Sequence, residues 1–271
     1  MVDKDGRLQV TILGCGSSPG VPRLNGDWGN CDPNNTKNNR LRAAVLIERI
    51  AENGDKTVVC VDTGPDFRAQ MIAAQVQQLD GVVYTHAHAD HVHGIDDLRT
   101  FVIMQKQRMN IYADDLTTER LRDGFAYCFE TPIGSSYPPI LHPHRIKHDE
   151  PFTIDGAGGA LEFVPLVQQH GSIHSLGFRI GEFAYCSDVS AFPEATLEKM
   201  ADLDVLIIDA LQYREHPSHL SLEQSLQIIE RLKPKRAYLT HMHIPLDYET
   251  VLRETPDNVE PCYDGLIIKT S

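Results

Sequence analysis

Directly behind the apolar run Gly81–Thr85 the chain reads His86-Ala87-His88-Ala89-Asp90-His91, four metal-binding side chains within six residues. The run itself, Gly-Val-Val-Tyr-Thr, is β-branched and aromatic and is read as a buried strand. In an extended segment residues two apart point the same way, so His86 and His88 can grip one ion. Once the chain turns into a helix, Asp90 and His91 project differently and can reach a second. Imidazole with carboxylate suits zinc, manganese or iron. A solvated polar loop is the plain alternative, and the buried strand in front of the cluster argues against it.

The remaining composition limits what surrounds this cluster. With 41% hydrophobic and 23% charged residues over 271 positions, the chain is expected to fold as one globular domain, residues 1–271, without a staple. A net charge of −13 disfavours general nucleic-acid binding and attachment to anionic membranes. The opening MVDKDGRLQV has no apolar stretch behind a basic start, and the six cysteines contain no CxxC pair. Both features lead to the expectation of a cytoplasmic protein with reduced thiols.

Further apolar runs bounded by Gly, Pro, Asn or Asp predict strands near residues 8, 43 and 57, and again over Leu161–Val167, Leu176–Ile180, Phe183–Ser187, Asp204–Asp209 and Arg236–Thr240. Helical spacing marks Phe67–Gln78, Leu98–Gln107 and Thr117–Tyr127. A capping box at Ser221 opens a helix with Leu222, Leu226, Ile229 and Leu232 on one face, and Pro234 ends it. The cluster His142, His144 and His148 is read as loop, lining the substrate entrance. Gly20–Arg40 is the longest irregular segment.

With these residues in place, the chain resembles the metallo-β-lactamase superfamily, whose HxHxDH motif sits in an αββα sandwich of two mixed β-sheets flanked by helices. The resemblance implies His86, His88 and His170 on one divalent ion, Asp90, His91 and His243 on the other, and Asp188 bridging them. His174 competes with His170, and His241 competes with His243. Asp62, ending the TVVCVD run, resembles the aspartate that orients a metal-bound histidine. Two ions per chain, Zn2+ or Mn2+, are the implied cofactors.

Such a pair of ions makes hydrolysis the expected reaction. LGCGSSPGVP at the start resembles tRNase Z and the phosphoribosyl cyclic phosphodiesterases of the PhnP group. REHPSHLSLEQS resembles the place where these enzymes supply a catalytic histidine; His219, nearer the helix start, is preferred to His216 as the proton donor. The implied catalytic residues are His219 and Asp90, with Ser17, Ser18 and His216 toward substrate; Arg40, Arg42 and Arg68 stand as cations for phosphate. The expected substrate is a small cyclic or nucleotide-like phosphodiester, and the relatives imply a homodimer. The loop after the first strand keeps only Cys31, against the several zinc-binding cysteines of the PhnP pattern. Competing readings are tRNA 3′ processing, glyoxalase II-like thioester hydrolysis and a non-catalytic sensor. No basic arm for tRNA is seen.

Overall fold

Side-chain alternation decides the layering. Over 44–47, Val45 and Ile47 share one side and Ala44 and Leu46 the other, yet all four are buried; Val59 and Val61 against Val58 and Cys60 repeat the pattern. A sheet buried on both faces needs a layer packed on each.

The computed structural model describes residues 6–270. The first half supplies β1 (Arg7–Gly14), β2 (Ala44–Ile50), β3 (Lys56–Val61), β4 (Gly81–Val83), β5 (Met109–Ala113) and β6 (Leu141–Arg145). Between them lie α1 (Phe67–Ala73), α2 (Ala89–Val92), α3 (Arg99–Gln105) and α4 (Asp115–Phe129). The second half supplies β7 (Phe152–Ile154), β8 (Leu161–His170), β9 (Ile173–Ile180), β10 (Phe183–Cys186), β11 (Val205–Asp209), β12 (Arg236–Thr240), β13 (Val259–Pro261) and β14 (Ile267–Thr270). Its helices are α5 (Glu194–Glu198), α6 (Leu222–Leu232) and α7 (Tyr248–Glu254). Among the described residues these form two seven-stranded sheets, ordered β14-β1-β2-β3-β4-β5-β6 and β13-β12-β11-β10-β9-β8-β7.

Both sheets are mixed. β3, β4, β5 and β6 run parallel, as do β10, β11, β12 and β13, while the other pairings are antiparallel. Between the sheets Val45, Ile47, Val59 and Val61 meet Phe163, Phe178 and Ile207. The opposite face of the first sheet packs Leu46, Val58 and Val82 against Phe67, Phe101 and Leu121 of the helices. α6 covers the second sheet through buried Leu222 and Ile229, with Leu226 and Leu232 beside them. The expected αββα sandwich is therefore the fold.

Local chemistry explains the ends of α6. The Ser221 side chain accepts the Gln224 N–H at 3.3 Å, and Gln224 Oε1 accepts the Ser221 N–H at 2.9 Å. Lys233 then turns to positive φ, ahead of Pro234. α1 stops at Ala73 rather than Gln78, because the chain turns at Gln75, φ 54°, to pack Val76 and seat Leu79 in the core.

Two readings of the first half are corrected. His142 and His144 lie in the edge strand β6, not in a loop; Pro143 is tolerated there because an edge strand leaves one side unpaired. The His144 ring stacks on Tyr112, centroids 4.6 Å apart, rather than facing a substrate. Arg40 is no phosphate contact: it is buried, donating to the Leu246 carbonyl at 2.7 Å and to Asn38 Oδ1 at 3.2 Å. It clamps the Gly20–Arg40 segment to the chain after β12. All six cysteines are buried and free, and no helix among the described residues is long and apolar enough to cross a membrane.

Phe178 stacks edge-on against Phe163 between the sheets. Phe178→Ala is expected to lower stability by ~3–5 kcal/mol, read from the urea midpoint. Ile133→Ala, at an exposed site, should stay within ~0.5 kcal/mol.

Candidate metal centre

Strand ends from both sheets meet at one rim. Asp62 follows β3, the His86–His91 motif follows β4, His170 ends β8, Asp188 follows β10, Asp209 ends β11 and His241 follows β12. Asp62, Asp188 and His241 take φ of 68°, 54° and 57°. Left-handed backbone at non-glycine residues costs of order 1–3 kcal/mol each and persists where surrounding packing enforces it. Here it turns each chain sharply at the strand end and delivers the side chain to the rim. Gly64 serves the same end, since a Cβ there would stand 2.1 Å from the Asp90 carbonyl oxygen. α2 thus rests on bare backbone.

The donors fall into two groups, His86 with His88 and His170, and Asp90 with His91, Asp188 and His241; within each group the ligand atoms lie within 4.8 Å of one another. His88 is extended and stands before α2, whereas Asp90 and His91 are inside it, so one motif serves both groups. His88 Nδ1 lies 3.2 Å from His170 Nε2. His91 Nε2 lies 3.1 Å from Asp188 Oδ1 and 3.4 Å from Asp90 Oδ2, and His241 Nε2 lies 3.4 Å from Asp188 Oδ2. Donors ~2.0–2.2 Å from a tetrahedral ion stand roughly 3.3–3.5 Å apart, which is close to this spacing.

Hydrogen bonds set which nitrogen faces inward. His91 Nδ1–H donates to Asp62 Oδ2 at 2.7 Å, and His170 Nδ1–H donates to the Ser218 carbonyl at 2.7 Å. Thr85 O–H donates to Asp62 Oδ2 at 2.8 Å, so its oxygen accepts His86 Nδ1–H at 3.0 Å. Each of these rings turns its Nε2 lone pair to the interior. His86 Nε2, His91 Nε2 and both His241 nitrogens are buried without a hydrogen-bond partner. Buried polar atoms are rarely left so.

Charge makes the same point. Burial opposes a proton on His91, but Asp188, Asp90 and Asp62 outweigh it and hold the imidazole well above its usual pKa. Burial likewise opposes charge on His241, and Asp188 with Asp90 pushes it up to about 9. Asp188 is driven well below the carboxylate range by His241 and His91 despite its burial. His86, away from most of this acid, is lowered by burial. Two carboxylates enclosed with two imidazoles call for positive charge, and the residues fit a divalent cation.

Several expected residues stand elsewhere. His241, not His243, joins Asp90, His91 and Asp188. Two residues farther on, the chain has already turned away, and His243 Nδ1 meets Ser17 Oγ at 2.8 Å while Nε2 meets Arg23 at 2.5 Å. A guanidinium only donates, so Nε2 accepts and Nδ1–H donates to Ser17. Burial and Arg23 accordingly lower His243 to about 4. His170 stands in the first group, and His174 instead meets Asp114. Ser18 is exposed in a turn, and Arg68 is exposed on α1. Arg42 is paired with Asp66 at 3.0 Å. His216 is exposed, its ring 5.3 Å from that of His219.

His219 is buried at the centre's edge, its ring 4.7 Å from His170 and 4.6 Å from His241. Its Nδ1 meets Asp209 Oδ2 at 2.7 Å. In the sequence Asp209 reads merely as the last residue of a strand, and a carboxylate ending a buried strand is the available signal. Arg23 likewise belongs to no motif in the sequence.

A model of the Beta-lactamase superfamily domain matches residues 57–242, well over half of the chain. A crystal structure of a diphosphatase from the PhnP family is 34% identical, covers 97% of each chain and superposes with a TM-score of 0.87. Human tRNase Z, short form, shares the fold at 19% identity and a TM-score of 0.63, covering 96% of this chain and 98% of its own. Among curated proteins, an octanoyltransferase of Porphyromonas gingivalis is 34% identical over 264 residues. That match takes in 96% of this chain and 51% of the relative, so the chain spans about half its length. The chain belongs to the beta-lactamase superfamily, a class of metal-dependent hydrolases. Within it, identity over nearly the full length sets the chain beside the PhnP family.

His241→Ala is expected to lose bound divalent metal, measured by plasma emission on protein purified without chelator, while His243→Ala retains it. Gly64→Ala, which presses on the Asp90 carbonyl, should also lower metal content.

Proposed function

We propose that the protein is a dinuclear metal-dependent phosphodiesterase acting on a small, nucleotide-like phosphate ester. His86, His88 and His170 would hold one ion, Asp90, His91 and His241 the other, with Asp188 between them. Ions held there, zinc or manganese, supply Lewis acidity toward a phosphoryl oxygen and bring the ionisation of water near neutrality.

The observation that carries this reading is the Asp209–His219 pair. Asp209 is wholly buried, and its Oδ2 also accepts the Val189 N–H at 3.0 Å. The carboxylate fixes the ring with Nδ1 toward itself, which leaves Nε2 for the space beside His170 and His241. From there a protonated Nε2 donates to the departing oxygen as its bond to phosphorus breaks, so an alcohol leaves rather than an alkoxide. A thiolate leaving group, as in thioester hydrolysis, has little use for such a donor. Arg23, half-buried beside His243 and paired with Asp27 at 3.2 Å, supplies a cation for the phosphate.

The diphosphatase named among the similar structures favours a second substrate, a phosphoanhydride, at the same site. The octanoyltransferase of P. gingivalis is matched over only 51% of its length, so its named activity is not carried over to this chain. An RNA substrate is disfavoured by the net charge of −13.

His219→Ala is expected to keep its metal, to lose ~10²–10⁴-fold on an alkyl or ribose phosphodiester and to lose far less on a p-nitrophenyl ester, whose leaving group needs no proton. Equal losses on the two esters would make His219 a phosphate-positioning residue. A nucleoside diphosphate turned over faster than either would establish the phosphoanhydride.

A further inference from the structure

A second convergence of donors lies outside this centre. Asp114 follows β5 and caps α4, its Oδ1 accepting the Thr117 N–H at 2.8 Å. Its other oxygen, Oδ2, meets His174 Nε2 at 2.7 Å and His148 Nε2 at 3.3 Å. The two rings stand edge to face with centroids 4.9 Å apart, and the three donor atoms lie within 4.8 Å of one another. They come from three places: the end of β5 in the first sheet, the connection from β6 to β7, and β9 in the second sheet. Asp114 is buried, whereas the His148 and His174 side chains are 40% and 31% exposed. The group is walled by protein on one side and open to solvent on the other.

We propose that Asp114, His148 and His174 form a further divalent-metal site, of the zinc class, that ties the β8–β9 hairpin to the rim of the first sheet. Two imidazoles and one carboxylate, with a position left for water, are a donor set suited to that ion. The His148 to Asp114 separation of 3.3 Å already matches two ligands of a tetrahedral ion, and the His174 contact of 2.7 Å opens by roughly 0.6–0.8 Å. Burial alone would raise the Asp114 pKa, but bonds from His174 and Thr117 hold it below the usual range, so the ligand is anionic. With neutral rings the ion takes the place of the Nε2–H bonds, and each imidazole keeps its one proton on Nδ1. His174 pairs across the hairpin with Gln169, the neighbour of His170. An ion here therefore steadies the strand end that presents His170, and the site stands whatever the reaction proves to be.

The full chain, stripped with chelator, reloaded with zinc alone and desalted, gives the test. Wild type is expected to hold one equivalent more than His148→Ala or His174→Gln. His148 lies in an exposed connection, so its variant reports on binding without disturbing the core. Asp188→Ala should lose zinc from the main centre yet keep this equivalent. Equal zinc in wild type and both histidine variants overturns the proposal, as does a zinc-edge anomalous map without a peak between Asp114, His148 and His174.

Discussion

Four side chains, Asp90, His91, Asp188 and His241, are packed so closely that their mutual electrostatics dominates the rim. Two carboxylates lie among imidazoles that are wholly or almost wholly buried, with Asp188 Oδ1 3.1 Å from His91 and Oδ2 3.4 Å from His241. Taking such groups out of water is costly unless opposite charge meets them. Protons on His91 and His241 offer one solution, and divalent cations offer another that also occupies the unpartnered ring nitrogens. The rest of the architecture keeps these groups from relaxing apart.

That restraint comes from backbone rather than side chains. Parallel strands deliver their C-terminal ends to a common edge, where α/β sheets generally hold their sites. Left-handed turns at Asp62, Asp188 and His241 spend conformational energy at the points where donors must be aimed. The apolar layers between and outside the sheets supply the stability that tolerates it. Asp62 links the two levels: it accepts the Thr85 N–H and O–H while holding His91, so strand end, motif and imidazole move as one unit.

Much of this was legible in the sequence. Continuous apolar runs bounded by turn residues locate the principal strands, and Ser221 with Gln224 marks a helix start with its mechanism. The division of His86 and His88 from Asp90 and His91 followed from the change of period where a strand gives way to a helix. What failed was resolution between neighbours. In Thr240-His241-Met242-His243, choosing the inward histidine requires knowing where β12 stops and that His241 takes positive φ, and neither is carried by residue type. β6 was missed because Pro143 and its histidines suit an edge strand that buries little. Asp209 was read as an ending because its partner lies ten residues away across a loop.

His88 is the one donor of the seven that faces solvent, whereas His91, Asp188 and His241 are sealed. Access of water to a ligand governs how readily an ion is exchanged, so on the proposed assignment the two halves of the centre would differ in lability. An ion held at His88 would equilibrate with the medium, and one held behind it would be retained. The composition of the outer position would then follow the metals available around the protein, while the inner position would keep the ion acquired on folding. Mixed-metal preparations would be the natural result of a centre built with one open and one closed side.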